Sequence, residues 1–133
     1  MQYIIMFLIV LGLAFADFVT GCIKAKCTGR LSSKALRIGG LHKFSELIIM
    51  GTAIGLTVGL EKLGSYYSDT RLTSLAGMFT AISVFVYITV MELISILENF
   101  AAVTPEAAWA RKILKRMKNY ETEGEENVEE TDT

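Results

Sequence analysis

The sequence predicts an all-α integral membrane protein: three transmembrane helices, a basic inner loop, a C-terminal basic amphipathic helix and a disordered acidic tail. Two observations carry this. The 133 residues include 13 Lys+Arg and 14 Asp+Glu, enough to interrupt every apolar run if spread evenly, yet residues 1–16, 47–60 and 72–91 hold no charged side chain. The basic residues between and after those runs number 6, 2 and 5, the alternation expected of a chain that crosses a bilayer an odd number of times.

The first span is predicted over residues 1–23, with Asp17 tolerated away from its centre. Ala14, Phe15 and Ala16 resemble a signal-peptide cleavage site, but no basic residue precedes the apolar run and six follow it, which argues against export. Those six (Lys24, Lys26, Arg30, Lys34, Arg37 and Lys43) form the basic loop, with no acid among them. The second span, residues 44–63, is the tightest: its ends carry Glu46, Glu61 and Lys62, which must reach toward headgroups. The third, residues 72–91, supplies the roughly 20 apolar residues that a hydrocarbon core of about 30 Å requires. Residues 1–98 thus form the membrane domain. Lys and Arg are retained on the cytoplasmic side, so the basic loop and the C-terminus are expected inside and the N-terminus outside.

Three glycines, Gly51, Gly55 and Gly59, recur every four residues along span two, giving a strip where backbones can approach closely. The spacing leaves open whether the partner is another span of the chain or a second copy. Span three carries Thr73, Thr80, Ser83 and Tyr87 along one side. That stripe either faces water in an oligomeric pore or bonds back to its own helix as an ordinary contact.

Four acids, Asp17, Glu46, Glu92 and Glu98, lie near the inner membrane surface. A carboxylate at a bilayer centre costs about 2.5–3.5 kcal/mol on insertion scales, so such groups turn inward and find partners. Asp17 is the deepest and stands seven residues from Lys24 on the same helix face. A structural tie to basic loop residues is its expected role, and it is the candidate charge should membrane potential act on the protein. Cys22 and Cys27, with only His42 to assist, cannot complete a zinc site and are expected as free thiols; His42 is read as a loop residue.

Residues 99–120 are predicted to form a basic helix opened by Thr104 as N-cap and Pro105 at the first helical position. Trp109, Ile113, Leu114 and Met117 are set against Arg111, Lys112, Lys115, Arg116 and Lys118, a composition suited to an anionic lipid surface. Residues 121–133 add seven acids and no base, a run expected to stay disordered. No nucleophile with a base beside it, phosphate-binding loop, metal cluster or nucleic-acid stripe is present, so no enzyme, cofactor, metal or nucleic-acid partner is expected.

The stretch from Asp17 through Gly21, then Lys24, Leu31 to Lys34, Gly39, Gly40 and Lys43, resembles the first-span exit and basic loop of phage holins of the toxin-secretion and phage-lysis family, phage holin family 4. The stretch from Glu92 to Asn99 is similar to that family's signature at the end of its last span, and the resemblance covers residues 15–118. The matching positions are Asp17, Thr20, Gly21, Lys24, Glu92, Glu98 and Asn99, whereas Tyr87 to Met91 is less polar than the family pattern. The resemblance implies a protein of the bacterial cytoplasmic membrane that homo-oligomerises and opens lesions, releasing an endolysin without direct contact or assisting toxin export. A non-lytic membrane adaptor, an antiholin-like regulator and a small ion-channel subunit are the alternatives.

Overall fold

The computed structural model describes residues 1–66, 70–104, 106–107 and 109–117. Three helices follow one another: α1 (Gln2–Cys27), α2 (Ser33–Tyr66) and α3 (Thr70–Val103). At 26, 34 and 34 residues they extend about 39, 51 and 51 Å, and each is long and apolar enough to cross a membrane. The three predicted spans are therefore present; each runs past its expected C-terminal end, and α2 and α3 also begin before their expected starts.

The basic loop changes most. Only residues 28–32 of it are non-helical, because Lys, Arg, Ala and Leu are good helix formers whatever their hydropathy. Gly29 closes α1 in the left-handed conformation (φ 66°), with Arg30 N–H donating to the Ala25 carbonyl and Gly29 N–H to that of Lys26. The Ser32 hydroxyl then accepts the Ala35 N–H at 3.1 Å and caps α2. His42, expected in a loop, lies exposed within α2.

The helices meet along seams. On α1, Tyr3, Phe7, Val10, Ala14, Asp17, Gly21 and Lys24 follow alternating steps of four and three, the spacing that keeps one stripe of a helix facing its neighbours. Lys43, Glu46, Met50, Ala53, Thr57 and Gly64 do the same on α2, and Gly77, Ala81, Ile88, Glu92 and Asn99 are buried on α3. Val10, Met50 and Ile88, one from each helix, form the apolar centre. Toward the α2–α3 connection, α2 and α3 come closest. The Thr57 hydroxyl donates to the Gly77 carbonyl at 2.7 Å, and a Cβ on Gly77 would stand 2.9 Å from the Thr57 Cα. At that same end the Tyr3 hydroxyl donates to Glu61 at 3.1 Å.

Beyond α3 the chain turns before it coils again. Thr104 N–H still donates to Phe100, the Thr104 carbonyl accepts from Ala107, and the Ala107 carbonyl accepts from Arg111, so Ala107 rather than Thr104 heads the helix over 109–117. Pro105, Lys118 and the acidic tail lie outside the described residues. Ala107 and Ala110 are buried, Leu114 and Met117 partly so, while Trp109 and Ile113 face outward. The predicted apolar side is thus divided. One half seats the helix, and the other half presents Trp109, whose ring lies tilted at 45° to that of Phe100 with centroids 5.9 Å apart.

Candidate functional site

The seams place charged residues where an apolar bundle would hold Leu or Val. Asp17 on α1, Lys43 and Glu46 on α2, and Glu92 and Asn99 on α3 reach one level of the bundle, near the end that carries the α1–α2 connection. The Lys43 ammonium stands 2.8 Å from Asp17 Oδ2, 2.8 Å from Glu92 Oε2 and 3.4 Å from Glu46 Oε2. Asn99 Nδ2 donates to Asp17 Oδ1 at 2.9 Å and to the Thr20 hydroxyl at 3.3 Å, and its Oδ1 accepts from Lys24 at 3.1 Å. The Thr20 hydroxyl donates in turn to its own helix at the Asp17 carbonyl. Gly21 leaves room for this: a Cβ there would lie 3.6 Å from Asn99 Nδ2.

Glu92 is fully buried and Asp17 is 6% exposed, while the outer surface at this level is apolar, with Phe15 70% and Phe44 60% exposed. The charges are therefore enclosed by side chains suited to lipid. Removing ions from water costs several kcal/mol each, repaid only when partners and hydrogen bonds are in place, and here one cation serves three helices at once.

Of the residues expected to matter, Asp17, Thr20, Gly21, Lys24, Glu92 and Asn99 converge on this layer, and Glu98 is half-buried beside Asn99. The expected tie between Asp17 and the basic loop exists, but its cation is Lys43, not Lys24. Glu46 is one of the four acids expected to turn inward, whereas Lys43 is expected only as a base of the inner loop. The steps of three and four that join Lys43 and Glu46 to Met50, Ala53 and Thr57 were the available signal. In the closed bundle Asp17 is paired with Lys43.

The glycine strip points elsewhere. A Cβ at Gly55 or Gly59 would meet nothing within 4 Å, and at Gly51 only a Phe7 ring carbon at 4.0 Å. Gly55 is two residues from buried Thr57, about 200° around the helix, so the strip lies on the outside of the bundle. Gly77, unremarked in the sequence, is the glycine that packs α2 against α3. Ser83 and Tyr87 are exposed and Thr73 and Thr80 half-buried, with Thr80 bonded back to Ala76 at 2.9 Å. Arg111, Lys112, Lys115 and Arg116 are exposed on the last helix, and Cys22 and Cys27 are free thiols.

The sequence pattern of the bacteriophage holin family matches residues 1–119, spanning all three helices, the ionic layer and the basic helix. This chain belongs to the bacteriophage holin family. No curated protein and no solved structure matches it. Membership fits a multi-pass holin-type membrane protein, of a non-enzymatic family, in which the enclosed charges of the holin bundle are the departure from an ordinary apolar core.

Proposed function

We propose that the protein acts as a holin: it accumulates in the bacterial cytoplasmic membrane, associates with copies of itself, and above a threshold density opens lesions through which an endolysin passes. Assistance to toxin or protein export would use the same opening. The observation that carries this reading is the division of the bundle. Each protomer satisfies most of its deep charges internally, while a Cβ at Gly55 or Gly59 on the glycine strip would meet nothing within 4 Å and Ser83 and Tyr87 on the hydroxyl side of α3 are exposed.

In one protomer Val10, Met50 and Ile88 pack together at the centre of the bundle, so a water-filled opening is built from several copies. Glycine faces let helices associate in lipid by close backbone packing, and Thr73, Thr80, Ser83 and Tyr87 are the groups such an assembly would turn toward water. The basic residues near the α1–α2 connection support a reading in which that connection and the C-terminus lie on the cytoplasmic side. There Trp109 and Ile113, flanked by Lys112 and Arg116 on the same helix face, suit an anionic leaflet. The endolysin is released without touching the protein.

Timed expression in a bacterium carrying a cytoplasmic endolysin tests the reading. A holin gives abrupt arrest and leakage of large solutes; leakage of ions alone would make it a channel subunit, and neither outcome would leave an adaptor or antiholin-like regulator. Gly55→Leu should delay lysis while membrane levels and monomer stability stay unchanged. An undelayed variant would remove the glycine face from the mechanism.

A further inference from the structure

The start of α2 carries a face that the bundle does not use. An open groove of about 650 Å³ runs along it, and among the described residues its wall is Ser33, Lys34, Arg37, Ile38 and Leu41. All five are exposed, and the face they share is centred on the side of α2 opposite Lys43, Met50 and Thr57. Its residues change in character along the helix. Lys34 and Arg37 are three apart, so their cationic ends fall side by side, and Ile38 and Leu41 stand one turn further on. Phe44, exposed beside Lys43 at the ionic layer, marks the hydrocarbon level; at 1.5 Å per residue Arg37 and Lys34 lie about 10 and 15 Å nearer the α1–α2 connection, in the headgroup zone.

The positive charge on this face is not neutralised from within the bundle. Residues 18–45 contain no Asp or Glu. Of the acids around them, Asp17, Glu46 and Glu92 turn inward to Lys43, and Glu98 and Glu106 belong to α3 and the turn after it. Among the described residues, Lys34 and Arg37 take part in no ion pair. A guanidinium fork can hold two oxygens of one phosphate, the neighbouring ammonium a third, and the Ser33 hydroxyl at the same rim can donate as well. A zwitterionic headgroup would bring its own ammonium toward these two cations, so the face favours a headgroup with net negative charge.

We propose that this groove binds one anionic phospholipid, its phosphate held by Lys34 and Arg37 and an acyl chain laid along Ile38 and Leu41. The order of cations and apolar side chains on α2 is the order in which a lipid presents phosphate and chain to a helix entering the bilayer. The site rests on the membrane-spanning fold and not on lysis. It differs from the general attraction of Arg111, Lys112, Lys115 and Arg116 for a charged surface, because it needs the headgroup and the chain together.

Native mass spectrometry of the full-length protein in detergent, titrated with phosphatidylglycerol or phosphatidylcholine, tests this. The wild type should retain one phosphatidylglycerol in preference to phosphatidylcholine. In Lys34→Gln/Arg37→Gln, whose substitutions are exposed and should leave the unfolding midpoint unchanged, that first affinity should fall about 30-fold, the loss of two basic contacts. Lys112→Gln/Lys115→Gln should keep it, and glycerol phosphate in solution, which has no chains, should not displace the bound lipid. Equal retention of the two lipids, equal losses in the two double variants, or displacement by glycerol phosphate would each overturn the site. Retention that emerges only when residues 121–133 are removed would give the groove to the acidic tail and overturn it too.

Discussion

The two ends of the bundle are held by different means. Near the α1–α2 connection, Lys43 and Asn99 tie all three helices through charge and hydrogen bonds; near the α2–α3 connection, shape does the work, with Thr57 seated on Gly77 and, among the described residues, a Tyr3–Glu61 hydrogen bond joining α1 to α2. Charge acts in any direction, so one ammonium can recruit acids from three helices. Close backbone packing joins only the pair that touch. The consequence is a bundle whose first helix is fixed firmly at one end and lightly at the other.

The largest effect should come from Lys43→Met, which leaves Asp17, Glu46 and Glu92 without their common cation. Stranding buried charge costs about 3–5 kcal/mol, and the expected outcome is loss of the folded protein from membranes on an immunoblot and a collapsed unfolding midpoint in detergent. Gly77→Leu attacks the other end. Its side chain would meet the Thr57 backbone, which cannot swing away, so the cost should lie at the upper part of about 1–3 kcal/mol by thermal unfolding. Together the two variants sharpen the contrast: the first should free all three helices from one another, the second should part only α2 and α3, as crosslinking between introduced cysteine pairs would show.

Asn99→Leu comes next. It removes the donor to Asp17 and the acceptor for Lys24 while leaving Lys43 in place, and about 1–2 kcal/mol should be lost, mainly from the α1–α3 contact. The smallest change is expected for Tyr3→Phe, about 0.5–1 kcal/mol, because its hydrogen bond is only part-buried. Should Tyr3→Phe prove as damaging as Asn99→Leu, the two ends would be equally tied and the contrast would fall.

Much of this was legible in the sequence, and the exceptions share a cause. The uncharged runs announced three spans because lipid tolerates no other pattern, and Trp109 among basic residues announced the last helix. Lys43 was misplaced because hydropathy treats a lysine as the edge of a span. A lysine with three acids around it is a seam residue instead, and only its register with Met50, Ala53 and Thr57 reveals that. The helical reach of α2 back to Ser33 was hidden for a related reason: hydropathy reports the environment of a segment, whereas helix formation follows from side chains that do not compete with the backbone. The late start of the 109–117 helix depended on where α3 stops, which neither Thr104 nor Pro105 encodes.

The pairing of Asp17 with Lys43 also orders events at the ribosome. Asp17 is translated 26 residues before its counter-ion, and the tight turn at Gly29 brings the two segments side by side as soon as both exist. A first span released alone would carry a bare acid into hydrocarbon, so the insertion machinery must hold it until the second arrives, and the two should enter the bilayer as a hairpin with the third span docking afterwards.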